Sequence, residues 1–257
     1  MKRYSENRLI AGTNIIWEVE VCSTNTHLIS LLNSSKLPGG TVIIASHQTA
    51  GRGQIGNRWH SEAGKNLTFS MVIYPGFLDL QKQFLLNMAV SLALVDYLKA
   101  IIPDVYIKWP NDIYISHKKI AGILVENSVS GNQIKQTVIG IGLNINQTLF
   151  PPDLPNPTSL ALETGRKFEL EEVTELILNF LDARLLQLKS EKFERLHTDY
   201  LKYLYRINKP YLFDVNGETV EGIIKNVDDT GHLIVEIADE LRTFGFKEIK
   251  YLYEIWN

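Results

Sequence analysis

The apolar positions of this 257-residue chain change period along its length, and the changes mark its elements. Between Thr24 and Ser34, Leu28, Leu31 and Leu32 recur at helical spacing behind a Ser-Thr-Asn start, which predicts a helix ended by Leu37-Pro-Gly-Gly. TVIIASHQ at 41–48 is β-branched and apolar and predicts a buried strand, while LTFSMVIY at 67–74 places Leu67, Phe69, Met71 and Ile73 on one face of another. Between them, Gln48 to Asn66 is rich in Gly, Asn and Arg, a long loop of the kind that usually serves function. From Gln81 to Ile102, Phe84, Leu85, Met88, Leu92 and Val95 recur every three or four positions, which predicts a long helix closed by Pro103. VYIKW, DIYIS, KIAGILVENSV and IKQTVIGIGLNIN follow, separated by turns too short for helical crossovers, so these strands pair antiparallel. PPDLPNP at 151–157 is a connection, and Leu170 to Tyr205 predicts two further helices.

The last 50 residues change character. YLFDV, Asn216-Gly217, ETVEGIIKNV, Asp229-Thr-Gly231, HLIVEI and LRTFGF read as hairpins of a small antiparallel β-barrel. The pattern therefore predicts an α+β protein: a largely antiparallel sheet flanked by helices over residues 1–206, and a barrel over residues 207–257.

Composition narrows the function. Apolar residues at 45% and charged residues at 21% are ordinary for a packed protein. The net charge is −3, and residues 207–257 carry 5 Lys/Arg against 10 Asp/Glu, net −5, leaving 21 against 19, net +2, for the rest. No broad basic field exists to hold a nucleic-acid backbone, so nucleic acid is not an expected partner. Cys22 is the only cysteine, which excludes an intrachain disulfide and suits a reducing compartment. No stretch reads as a secretory leader or approaches the ~18 apolar residues of a membrane span, so a cytoplasmic protein without a membrane partner is expected.

Candidate chemistry sits in four places. Gly51-Arg52-Gly53-Gln54-Ile55-Gly56 matches G-x-G-x-x-G but leads into a strand, which fits neither a dinucleotide fingerprint nor a Walker loop. Its glycines would admit an anion to backbone N–H groups, with Arg52, Arg58 and Lys65 facing only Glu62; it reads equally as a surface loop with turn glycines. Lys108-Trp109-Pro110-Asn111-Asp112 gathers a cation, an aromatic and a carboxylate able to hold Mg²⁺ between phosphates, or forms a plain turn. Gly140-Ile-Gly142-Leu-Asn144-Ile-Asn146 puts glycines and amides in an apolar strand, which close ligand approach or a bulge would explain. Ser23-Thr24-Asn25 satisfies helix capping whatever else it does.

Taken in order, Ser23-Thr24-Asn25, Gln48-Thr-Ala-Gly51-Arg-Gly53, Lys108-Trp-Pro-Asn-Asp112, Lys119-Ile-Ala-Gly122-Ile-Leu-Val-Glu126 and the Gly140–Asn146 run resemble the biotin protein ligases over nearly the whole chain. The resemblance implies a catalytic domain like that of class II aminoacyl-tRNA synthetases, followed by an SH3-like barrel. It implies a ligase that joins biotin to the α-phosphate of ATP with Mg²⁺, then passes it to a lysine of a biotin carboxyl carrier protein, with no tightly bound prosthetic group. By similarity, Arg52 and Lys119 are catalytic, spanning the biotin carboxylate and the α-phosphate. Ser23, Thr24, Asn25, Gln48, Gly53 and Gln54 complete the biotin site, Trp59, Asn111, Asp112 and Asn144 join Arg52 around ATP, and Asp112 approaches the metal. Two departures stand out: Gln54 occupies a position where some relatives have arginine, and 22 residues before Ser23 leave no room for the DNA-binding winged helix many carry. The competing expectations are a lipoate ligase and a non-catalytic biotin sensor; exposed sheet edges would allow a homodimer without predicting one.

Overall fold

A computed structural model describes residues 8–54 and 56–252. Its larger sheet has seven strands: β1 (Asn14–Val21), β2 (Thr41–Gln48), β3 (Leu67–Ile73), β4 (Val105–Lys108), β5 (Asp112–Ile115), β6 (Lys118–Ser130) and β7 (Gln133–Leu143). They lie in the order β1-β2-β3-β7-β6-β5-β4. Every pair is antiparallel except β1–β2, which runs parallel across the helix α1 (Thr24–Ser34). A parallel pair needs such a crossover, whereas the short turns between β4 and β7 leave only antiparallel pairing. β1 is not among the strands that apolar periodicity predicts. Glu18 and Glu20 interrupt its apolar run, as a strand paired on one side only permits.

β3 is buried at every position, and α2 (Phe84–Lys99) is buried around nearly its whole circumference. A helix so uniformly apolar needs cover on all sides. The sheet supplies one side; α4 (Leu170–Lys189) and α5 (Phe193–Tyr203) supply the other. A five-residue helix, α3 (Leu160–Thr164), which the sequence pattern does not reveal, joins this layer to the sheet. Among the described residues no helix is long and apolar enough to cross a membrane.

The terminal strands β8 (Pro210–Val215), β9 (Glu218–Val227), β10 (Leu233–Ile237), β11 (Glu240–Phe244) and β12 (Ile249–Tyr251) form an antiparallel sheet in the order β11-β10-β9-β8-β12. Asn216 and Gly217 both take positive φ between β8 and β9, as a tight two-residue hairpin turn requires. The expected barrel is therefore an open sheet: among the described residues β11 and β12 do not pair. The connection between β11 and β12 packs Phe246 on Trp109 of the β4–β5 turn and on Phe84 of α2, at 5.4 and 6.5 Å between ring centroids.

Candidate active site

One cleft of about 440 Å³ opens where α1, the 49–66 loop, the β4–β5 turn, β6, β7 and the terminal sheet converge. Its first wall is the start of α1. Ser23 is extended and makes no side-chain cap bond, so capping does not explain it. Gln48 does the capping instead, its Oε1 accepting from the Thr24 N–H at 2.7 Å and facing Thr24 Oγ1 at 3.1 Å. Ser70 of β3, fully buried, bridges Thr24 Oγ1 at 2.7 Å and Asn25 Oδ1 at 2.5 Å. Asn25 then donates from Nδ2 to Glu126 Oε2 at 2.7 Å. Gly140 explains itself here, because any side chain at that position would collide with the Asn25 amide.

The glycine loop forms the second wall. It folds on itself as a small hairpin, with Trp59 N–H donating to Gly51 O at 3.0 Å and Gly53 N–H to Asn57 O at 2.8 Å. The turn puts Arg52, Gly53, Gln54, Arg58 and Trp59 on the cleft. Arg52 pairs with Glu126 at 2.7 Å, whereas Lys65 pairs with Glu62 at 2.7 Å and does not line the cleft.

Lys119 lies across the floor in β6, paired with Asp112 at 2.6 Å and with its Nζ 5.8 Å from the Trp59 ring. The indole rests on Gly122 and Gly142, which are cross-strand partners, and a side chain on either would press into it. These glycines thus make room for an indole. Trp59 Nε1 is buried there without a partner among the described residues. Lys108 Nζ stands 5.0 Å from both the Tyr114 and Tyr251 rings, and the Trp109–Pro110 peptide after it is cis.

Of the residues the resemblance names, Ser23, Thr24, Asn25, Gln48, Arg52, Gly53, Gln54, Trp59, Asn111, Asp112 and Lys119 all line this one cleft. Asn144 does not. Its Nδ2 donates to Thr158 O at 2.9 Å, which ties down the connection before α3, and its Oδ1 is buried without a partner among the described residues. Asn111 donates to Ile123 O at 2.6 Å and so braces the β5–β6 pair at the cleft edge. Asp112 is the one carboxylate among the described lining residues, and no described cluster of three or more His, Cys, Asp or Glu could cage a metal.

Sequence reasoning missed the terminal sheet's share. Phe246, Lys250 and Tyr251 line the cleft, and Gly231 O accepts from Trp109 Nε1 at 2.9 Å. The turn carrying Gly231 is ordered by Asp228: burial pushes its carboxyl up, but hydrogen bonds from Thr230 and His232, with the His232 charge, hold it below the usual carboxylate range. The available signal was a pair of lysines, Lys247 and Lys250, in an otherwise acidic segment.

Comparison with known proteins gives a consistent result. Residues 19–144 match the model of the Biotin/lipoate A/B protein ligase family. The chain is 31% identical to the biotin--[acetyl-CoA-carboxylase] ligase of Paracoccus denitrificans, covering 83% of this chain and 90% of that one. It is 30% identical to the bifunctional ligase/repressor BirA of Bacillus spizizenii, over 96% of this chain and 77% of that one. Among solved structures, the biotin protein ligase from Aquifex aeolicus in complex with biotin and ATP superposes with a TM-score of 0.78 at 25% identity, covering 93% and 99% of the two chains.

Proposed function

We propose that this chain, which belongs to the biotin/lipoate A/B protein ligase family, performs biotin ligation in two steps inside the cleft described above. It is an ATP-dependent biotin ligase. In the first step a biotin carboxylate oxygen attacks the α-phosphorus of ATP; the bond to the β-phosphate oxygen breaks, pyrophosphate leaves and biotinyl-5′-AMP forms. In the second, a carrier lysine's neutral amine attacks the acyl carbon, the bond to AMP oxygen breaks, and an amide, AMP and a proton result.

The observation that carries this reading is that one cleft is lined by both a neutral set and a cationic set of side chains, which on this reading form its two ends. Ser23, Thr24, Asn25 and Gln48 present hydroxyls and amides, which suit the ureido ring's carbonyl and N–H groups without a charge. Arg52 and Lys119 stand on the same cleft and would hold the biotin carboxylate against the α-phosphate. Two anions must touch there, and cations fixed in advance cancel their repulsion without reorganising. Gly53 and Gln54 would close over the ligand, Trp59 would stack beside adenine, and Asn111 would border the nucleotide. Asn144, behind the wall, would act by holding the 144–158 connection.

The donor set also bears on Mg²⁺. A single lining carboxylate suits an ion carried in on phosphates, since Mg²⁺ takes one or two carboxylates plus substrate oxygens in such sites. Asp112 would hold it, and the ion would neutralise phosphate charge. The partner in the second step is a biotin carboxyl carrier protein, and the setting the cytoplasm. Residues 1–206 would carry the chemistry and 207–257 would complete the cleft.

Biotin-dependent exchange of labelled pyrophosphate into ATP, with Mg²⁺, tests the first step, and mass spectrometry detects the adenylate. Exchange with biotin but not lipoate is the expected result. Binding of biotin without exchange would make the chain a sensor, and exchange with lipoate alone would replace biotin as substrate.

A further inference from the structure

One carboxylate that does not line the cleft, but holds one residue of the neutral set and one of the cationic set, has no part in the chemistry above. Glu126 sits on β6 behind the loop, and its two oxygens serve different residues. Oε1 accepts from Arg52 Nη2 at 2.7 Å, while Oε2 accepts from Asn25 Nδ2 at 2.7 Å and lies 3.4 Å from Arg52 Nη1. Close polar contacts continue from Asn25 Oδ1 to Ser70, Thr24 and Gln48, with the Ser70 and Thr24 hydroxyl protons shared among them. A carboxylate can only accept, so it fixes which way the Asn25 amide faces: Nδ2 toward Glu126, Oδ1 toward the Ser70 hydroxyl. With Nη1 also 3.4 Å from Thr26 Oγ1, the guanidinium keeps its Nε–H and one Nη2–H for another acceptor.

Resting on the biotin-ligase reading, we propose that Glu126 is the positioning residue of Arg52, holding its guanidinium at the height of the biotin carboxylate, while the Asn25 contact can be kept by an amide oxygen at position 126. Without it a long, flexible arginine on a glycine loop keeps only the 3.4 Å contact to Thr26 Oγ1 to select among its rotamers. The pair is half-exposed, at 44% for Arg52 and 28% for Glu126, so its loss costs the fold little. Its effect belongs to the ligand carboxylate.

The test compares calorimetric binding of biotin and of biotin methyl ester, which keeps the ring and has no carboxylate charge, with exchange rates, in the parent, Glu126→Gln, Glu126→Asp, Arg52→Ala and the double Glu126→Gln/Arg52→Ala. Glu126→Gln is expected to weaken biotin by about 10-fold, as for one charge-assisted hydrogen bond, and the ester by less than about 2-fold. Glu126→Asp, which keeps the charge, should recover part of the loss, and the double variant should be no worse than Arg52→Ala. Parent-like biotin binding by Glu126→Gln, equal loss of both ligands, or an additive double variant would each overturn the role of Glu126 alone. If Glu126→Gln does not fold, parent-like binding and exchange by Glu126→Asp overturn the role, and a selective loss of biotin supports it. A parent that binds no biotin would overturn the ligase reading and this role with it.

Discussion

The two ends of the cleft are built on opposite principles. At the neutral end Thr24, Asn25 and Ser70 are nearly or fully buried, and their polar atoms are bonded to one another, as buried polar groups must be. At the charged end Arg52 and Lys119 remain partly exposed, each paired with an acid, Glu126 or Asp112. If the cleft takes biotin and ATP as proposed, the difference teaches that recognition of an uncharged ring can be built into the core, whereas groups that meet anions stay at the water's edge. There the desolvation cost is small, and each cation has a carboxylate partner.

This contrast makes graded predictions. Lys119→Ala and Arg52→Ala should each slow adenylation by roughly 10²-fold or more with little change in Tm, because half-exposed pairs add little stability; pyrophosphate exchange and thermal melting measure both. Parent-like exchange would remove these cations from the chemistry. Gly142→Ala should push the Trp59 indole off the β6–β7 floor, shift its fluorescence and lower exchange about 10-fold, short of the ~10²-fold that a 1 Å misplacement can cost. Unaltered fluorescence would mean the floor tolerates a methyl group.

Ser70→Ala reverses the balance. It leaves Asn25 Oδ1 without its donor in the core and should cost about 1–3 kcal/mol in urea unfolding, a loss of stability that the charged-end variants do not share. The smallest effect belongs to Asp112→Asn, which should raise the Mg²⁺ concentration needed for half-maximal exchange by a few-fold. An unchanged titration would make Asp112 a partner of Lys119 only.

The motifs were legible in the sequence because each combines residue types that packing alone does not favour: glycines and amides in apolar strands, and cations in a loop. Their shared location was not. Gly140 and Gly142 looked like room for a ligand, but the space is taken by Asn25 and Trp59, whose side chains arrive from distant segments. Glu126 stood inside a quoted motif without a role, since its partner Arg52 lies 74 residues away. β1 escaped because an edge strand carries a weaker apolar pattern than one flanked on both sides.

By itself the sequence determined the order of most helices and strands, the antiparallel pairing from β4 to β7 and the chemical character of each motif, because these depend on local period, turn length and side-chain type. Tertiary structure alone decided that five motifs share one cleft, that Arg52 and Lys119 each rest on a particular carboxylate, and that an acidic terminal sheet contributes a wall to it. Those outcomes depend on which faces meet when the core closes, and no window along the chain contains that information.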